Sequence, residues 1–340
     1  MPLPTQDVSP DDPTLVCPGC RVHSDRGLEL RSLTRRGALL VCECGRRYPV
    51  LDGVPLVMAD PTQYVIGELG ALIEGEVPLE VAEVLVETGP DDAPYARLLE
   101  HLSIYLDAHW GDRATPPPDG PAPRWPLEAL AAKVAARAAA PVARAVELGC
   151  SVGRIVAALA AGATHVVGLD LHIGALRRAR RLLAGEPLRY GRRVAGRHYA
   201  AAELTAGEHA VADHRVTWVC ADALDPPLVP EQYDRVVALN LLDSVRRPRQ
   251  LLSVLDGLCA PGGELLLSSP YAWQSAIVDE SERFGGADPA AALCELLRSG
   301  HDLRARYDIE EQAELPWTLR KDARSAVSYQ VHYLRARKLA

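Results

Sequence analysis

The sequence lacks a long apolar run, a basic excess and most of the usual aromatic content. No stretch of the 340 residues approaches the roughly 20 apolar residues that a helix needs to cross a bilayer, which argues against a membrane-spanning helix. The N-terminal segment MPLPTQDVSPDD has neither a basic start nor an apolar core, so it is not read as a secretory signal, and a cytoplasmic protein is expected. The net charge of −8 sets nucleic acid low among the expected partners, because proteins that grip phosphates usually carry a basic face. Aromatic residues make up 5% of the chain, and Phe284 is the single phenylalanine. In a cytoplasmic chain the eight cysteines are not a disulfide framework.

What is present divides into segments. Residues 1–14 read as a flexible tail, 15–60 as a cysteine-rich module, 61–130 as a helical connector or lid, and 131–340 as an α/β domain. Within the connector, Tyr64–Glu74, Glu80–Thr88 and Ala93–His109 show apolar residues at three- and four-residue spacing, the helical period. Thr115–Arg124 is a proline-rich breaker, and Pro126–Ala140 is an alanine-rich helix. Beyond it, short apolar runs at Ala145–Leu148, Val166–Asp170, Val216–Cys220, Arg235–Asn240 and Glu264–Ser268 alternate with helical stretches. That alternation predicts a doubly wound, mostly parallel α/β sheet.

Two close cysteine pairs, Cys17-Pro-Gly-Cys20 and Cys42-Glu-Cys44, lie about twenty residues apart. Such spacing fits a tetrahedral four-thiolate site for Zn2+. With Gly45-Arg-Arg-Tyr-Pro-Val-Leu-Asp-Gly-Val-Pro55, the cysteines resemble the zinc ribbon of the small activator proteins that pair with tRNA and protein methyltransferases, over roughly Leu15–Met58. The resemblance implies a structural zinc.

The run Val146-Glu-Leu-Gly-Cys-Ser-Val-Gly-Arg154 closes the first strand of the α/β part with glycines at 149 and 153, where backbone must bend and approach a ligand closely. Asp170 ends the next strand about twenty residues later, a position suited to ribose hydroxyls. Asp222-Ala223 follows the third strand, and Asn240 ends the fourth. Gly-x-Gly-x-x-Gly would point to a nicotinamide dinucleotide, but Ser151 and Arg154 stand at its second and third glycine positions. In this order the motifs resemble the class I S-adenosylmethionine (SAM)-dependent methyltransferases, whose sheet has seven strands. The resemblance places Glu147, Gly149 and Gly153 around the methionine end of the cofactor, Asp170 at the ribose, and Asp222 with Ala223 at the adenine. Cys150, Ser151, Leu171, Asn240 and Leu241 complete the implied cofactor set.

Several further segments, among them Tyr105–Gly111, Asn240–Asp243, Ser268–Trp273 and Leu315–Arg324, resemble the C-terminal methyltransferase domain of ovothiol-biosynthesis enzymes. The similarity runs from about Tyr105 to Tyr333. It implies methylation of a ring nitrogen on a histidine- or thiohistidine-like small molecule, with an amine or thiol as other acceptors. The iron-dependent part of those enzymes is absent from this sequence.

Asn240, Asp243, Tyr271 and Trp273 lie at or just after strand ends, where open α/β sheets bind ligands, and are the candidate substrate contacts. Arg320 and Arg324, on one face if that segment is helical, are candidates for a substrate carboxylate, and Tyr105 and His109 for a lid. Arg177, Arg178, Arg180 and Arg181 invite an RNA-binding reading, against which a solvated helix face is the simpler account. Two other functions stay open: RNA or protein methylation with the ribbon as docking element, and a non-catalytic SAM-binding adapter. A homodimer is compatible with the sequence.

Overall fold

The structure is a computed structural model that describes residues 14–24, 27–68, 72, 81, 94–117, 126–135 and 141–339. Residues 1–13 of the expected tail, 69–71 and 73–74 of the expected Tyr64–Glu74 helix, 80 and 82–88 of the expected Glu80–Thr88 helix, 118–124 of the proline-rich breaker and 136–140 of the alanine-rich helix lie outside these.

The α/β part is built on a seven-stranded sheet. Its strands are β8 (Val142–Leu148), β9 (Ala163–Asp170), β12 (Val216–Cys220), β13 (Tyr233–Leu239), β14 (Cys259–Ser269), β15 (Tyr307–Arg320) and β16 (Ala326–Lys338). They lie side by side in the order β12-β9-β8-β13-β14-β16-β15. The first five are parallel, and β16 runs antiparallel to both β14 and β15. The apolar runs in the sequence are these central strands, buried on both faces as parallel strands must be. Ala145, Val237 and Leu266 belong to the core on one face, and Val146, Val236 and Leu265 to the core on the other. The order reverses between β8 and β13, and a crevice opens at such a switch point, outside the carboxyl ends of the strands.

Two additions flank this sheet. A three-stranded antiparallel sheet joins β10 (Leu188–Ala195) and β11 (His198–Leu204) to β7 (Ala114–Thr115). The cysteine-rich module carries a two-stranded sheet of β1 (Val22–Ser24) and β2 (Gly27–Glu29) and a four-stranded sheet of β3 (Thr34–Arg36), β4 (Leu39–Val41), β5 (Arg47–Leu51) and β6 (Val54–Pro55). It docks directly on the α/β part. Val57 N–H donates to Cys220 O at 2.9 Å and Val16 N–H to Pro227 O at 2.9 Å, so backbone from the module continues past the end of β12. Arg21 pairs with Asp225 beside this seam.

The arginine run lies on helix Ile173–Leu183 and is engaged within the chain. Arg177 Nε meets Asp52 Oδ2 at 2.8 Å. Arg180 donates to Asp52 O at 3.0 Å and pairs with Asp213 at 2.8 Å. Arg178 donates to Gly174 O, and Arg181 pairs with Glu186. Two of the four therefore tie the module down.

Helix Pro94–Trp110 crosses the carboxyl edge of the sheet. Its Asp107 is buried and accepts hydrogen bonds from Arg192 Nε at 2.9 Å, from Arg320 at 3.2 Å and from Tyr190 OH. At its end Trp110 Nε1 donates to Val152 O at 2.8 Å, and the Arg154 guanidinium lies 4.7 Å above the indole ring. The helix is thus fixed to the β10–β11 hairpin, to β15 and to the glycine loop after β8. Arg320 and Arg324 do not share a helical face: Arg320 ends β15, and Arg324 is exposed in the turn before β16.

Candidate functional site

A cavity of about 290 Å3 opens at the carboxyl ends of β8, β9 and β13 under helix Pro94–Trp110. Its floor is the turn after β8. Gly149 has φ +78°, and a Cβ there would meet Leu241 Cδ1 at 2.9 Å, so both the backbone conformation and the space call for glycine. Gly153, behind the cavity, has φ +79° and caps helix Arg154–Ala160 while packing on Trp218.

The Asp170 carboxylate fixes this turn. It accepts from Ser151 N–H at 2.8 Å and from His172 N–H at 2.7 Å. Burial raises its carboxyl above the usual range, and those two backbone donors oppose the rise. Each oxygen keeps lone-pair capacity for another donor. Glu147, 2% exposed, also lines the cavity, and its Oε2 has no hydrogen-bond partner. Burial first, and the Asp170 charge second, push this carboxyl well above its ordinary value. Ser151 Oγ is likewise buried without a partner.

Of the cofactor candidates, Glu147, Gly149, Ser151, Asp170, Leu171, Asn240 and Leu241 share the cavity wall. Asn240 has φ +54°, and its Oδ1 accepts from Ser268 Oγ at 3.0 Å. Cys150 and Gly153 are buried behind the turn. Asp222 is exposed at the end of β12, its Oδ1 accepting from Leu224 N–H at 2.9 Å, and Ala223 is buried beside it; neither is on the cavity wall.

The substrate candidates separate. Tyr105 and His109 are on the wall. Asp243 is buried with Ser269 Oγ donating to it at 3.3 Å. Tyr271 and Trp273 lie together, ring centroids 5.9 Å apart, beyond the wall; Tyr271 OH is 2.9 Å from His332 Nδ1. Arg320 is engaged with Asp107, and Arg324 is at the hairpin turn.

The wall also contains residues that the sequence reading did not single out for a site: Tyr64, Glu68, His101, His172, Ser244 and Trp317. His101, Tyr105 and His109 are four residues apart on one helix and form a stripe, a signal that was available in the sequence. His101 stacks on His172 with centroids 4.8 Å apart and planes at 3°. His172 Nδ1 accepts from Ala175 N–H at 3.1 Å, which leaves the ring proton on Nε2 when the imidazole is neutral. Burial lowers His101 and His172 to about 4 and His109 to about 3. Tyr64 OH donates to Leu171 O at 2.7 Å and closes the wall from the cysteine-rich side.

The second cluster is Cys17, Cys20, Cys42 and Cys44, whose sulfurs all lie within 4.8 Å of one another. Sulfur–sulfur distances of 4.0 Å for Cys17–Cys44 and 3.8 Å for Cys20–Cys42 match the roughly 3.8 Å edge of a tetrahedron with 2.3 Å metal–sulfur bonds. The Arg46 backbone N–H lowers the Cys44 thiol to about 6, and Tyr48 OH lies 3.1 Å from Cys17 Sγ. The arrangement can hold a tetrahedral metal ion.

Residues 146–265 match the family model described as a methyltransferase domain, from β8 through the middle of β14. The demethylmenaquinone methyltransferase of Clavibacter sepedonicus is 34% identical over 133 residues, which are 38% of this chain and 43% of that protein. The chain therefore spans less than half the length of this curated relative. Among solved structures, the N-methyltransferase NodS from Bradyrhizobium japonicum WM9 is similar at 14% identity and TM-score 0.40, over 63% of this chain and 95% of NodS. The magnesium protoporphyrin IX methyltransferase ChlM from Synechocystis PCC 6803, with bound SAM, is similar at 14% identity and TM-score 0.43, over 78% of this chain and 99% of ChlM. The glycine turn and the strands on either side of it thus lie in the region, residues 146–265, that is similar to a methyltransferase domain.

Proposed function

We propose that the chain methylates a small molecule, at a ring nitrogen of a histidine- or thiohistidine-like compound. The observation that carries this reading is a single cavity in which the cofactor-motif residues Glu147, Gly149 and Asp170 face a wall of rings from His101, Tyr105, His109 and Trp317. The residues fit the cofactor. The partnerless Glu147 carboxylate suits the ammonium of its methionine end, the Gly149 turn leaves room for close approach, and Asp170 retains acceptor capacity for ribose hydroxyls. When bound, SAM supplies an electrophilic methyl group on a sulfonium. An acceptor nitrogen beside it would give its lone pair to that carbon as the carbon–sulfur bond broke toward sulfur, and its N–H proton would leave to solvent.

For such an in-line displacement the protein chiefly has to align the nucleophile and exclude water. Helix Pro94–Trp110 does both, held by Asp107 and Trp110. Its imidazoles, at about 4 and about 3, are neutral near pH 7 and too weakly basic to strip a proton from an ammonium. This favours a neutral ring nitrogen, nucleophilic as it arrives, over an aliphatic ammonium.

The four-cysteine cluster is proposed to hold a structural Zn2+ that fastens the ribbon. The RNA-docking reading is weakened by the arginine run, because Arg177 and Arg180 bind Asp52 of the same chain. Calorimetric binding of S-adenosylhomocysteine to the full chain, with Asp170→Ala beside it, tests the cofactor assignment. Submicromolar to micromolar binding lost in the variant supports it; no binding by the parent chain sinks it.

A further inference from the structure

We infer that the acceptor is a ring-bearing amine without a carboxylate or phosphate, an imidazolyl alkylamine in place of the amino acid. The inference rests on the methyltransferase reading above and narrows its substrate.

The first observation is the charge of the cavity. Its described wall holds three carboxylates, Glu68, Glu147 and Asp170, and no lysine or arginine. The two arginines that the sequence offered for a substrate carboxylate are elsewhere, Arg320 on buried Asp107 and Arg324 at a hairpin turn. The guanidinium of Arg154 lies behind the wall, paired with Asp112 at 3.1 Å. The wall imidazoles are uncharged near neutral pH, so among the described wall residues none offers an anionic group a counter-charge.

The second observation is the rim of the cavity. Helix Thr62–Gly67 and the residue after it contribute Tyr64 and the exposed Glu68 to the wall. Carboxylates at a cleft concentrate ligands of the opposite sign. The cofactor is itself cationic and gains from the same field, but Glu147 and Asp170 are the carboxylates placed for it. Glu68, exposed at the rim, remains for a second cation.

The third observation points to the ring. Trp317 Nε1 and His109 Nδ1 are both buried without a hydrogen-bond partner, in residues 6% and 8% exposed that line the same cavity from β15 and from the helix. An indole N–H can only donate, so Trp317 calls for an acceptor atom on the ligand. Orphaned polar atoms of this kind are rare in a folded protein unless a ligand or water completes them. An uncharged heteroaromatic ring, stacked among His101, Tyr105 and Trp317, offers such atoms and leaves its ammonium arm to the acidic rim.

The test is equilibrium binding to the full chain saturated with S-adenosylhomocysteine, using three probes with one ring: 4-(2-aminoethyl)imidazole, histidine and imidazole-4-acetate. The expected order is amine, then histidine, then acid, with at least about a tenfold gap between first and last. Trp317→Phe keeps the ring stack and removes the N–H, and is expected to weaken the amine about tenfold. Glu68→Gln, at an exposed position, is expected to weaken the amine and leave imidazole-4-acetate unchanged or improved. Acid binding as tightly as amine, no effect of Glu68→Gln on the amine, or no binding of any probe overturns the inference. Failure of S-adenosylhomocysteine itself to bind would instead overturn the methyltransferase reading beneath it.

Discussion

Asp107 offers a quantitative test of how the cavity is held shut. It sits on helix Pro94–Trp110, is 1% exposed, and receives Arg192 from β10 and Arg320 from β15 together with Tyr190 OH. Asp107→Ala removes the carboxylate that these two buried guanidiniums share, while their contacts to Pro116 O and Arg193 O remain. Removing one partner of a buried ion pair destabilises by about 3–5 kcal/mol, because charge is left desolvated without its counter-ion. For a domain of this size that corresponds to a fall in Tm of roughly 6–20 °C. Urea unfolding followed by circular dichroism reads the effect as a lower midpoint at unchanged slope. Asp107→Asn, which retains shape and an acceptor oxygen, is expected to fall between the two. A loss for Asp107→Ala below about 1 kcal/mol, the value of an exposed pair, would refute the idea that this network clamps the helix.

Three further outcomes follow from the geometry. Gly149→Ala forces a side chain into φ +78° and against Leu241 at 2.9 Å, so calorimetry should show S-adenosylhomocysteine affinity reduced at least about tenfold; unchanged affinity would contradict the turn's role. Cys42→Ser, or chelation of the purified protein, should release about one equivalent of zinc and lower Tm; absence of zinc from the parent protein by elemental analysis would contradict the ribbon assignment. Unfolded histidine takes up its proton near 6.5, whereas burial holds His101 and His172 at about 4 and His109 at about 3. Protons therefore favour the unfolded chain between these values, and stability is lost as pH falls from about 6.5 towards 4. Each imidazole contributes up to about 1.4 kcal/mol per pH unit, so His109→Gln should flatten the fall by that amount; a slope identical to the parent's would refute its buried, neutral state.

The parallel strands were legible because each is buried on both faces and therefore reads as an apolar run, as in Val216–Cys220. The glycine turn was legible because φ +78° at Gly149 demands one residue type. The β10–β11 hairpin and the β15–β16 pair were harder. β15 alternates exposed and half-buried residues along Asp308–Pro316, with charged side chains on one face, and its edge position depends on partners far along the chain. The cavity wall was legible at the glycine turn and the strand ends beside it, where the motifs are local. The rest is tertiary: Tyr64 arrives from the segment after the ribbon, and Trp317 from β15. His172 doubles as the cap of its own helix. Arg320 and Arg324 looked like a substrate pair only under a helical spacing that the hairpin does not have.

The most direct test of the central claim is turnover: release of S-adenosylhomocysteine from SAM by the full chain. The acceptors are 4-(2-aminoethyl)imidazole, histidine, thiohistidines and small thiols, with bulk tRNA and a peptide mixture alongside. The account predicts release with a ring compound, greatest for the amine and abolished by Asp170→Ala. Release only with tRNA or peptide, or release unaffected by Asp170→Ala, would contradict it.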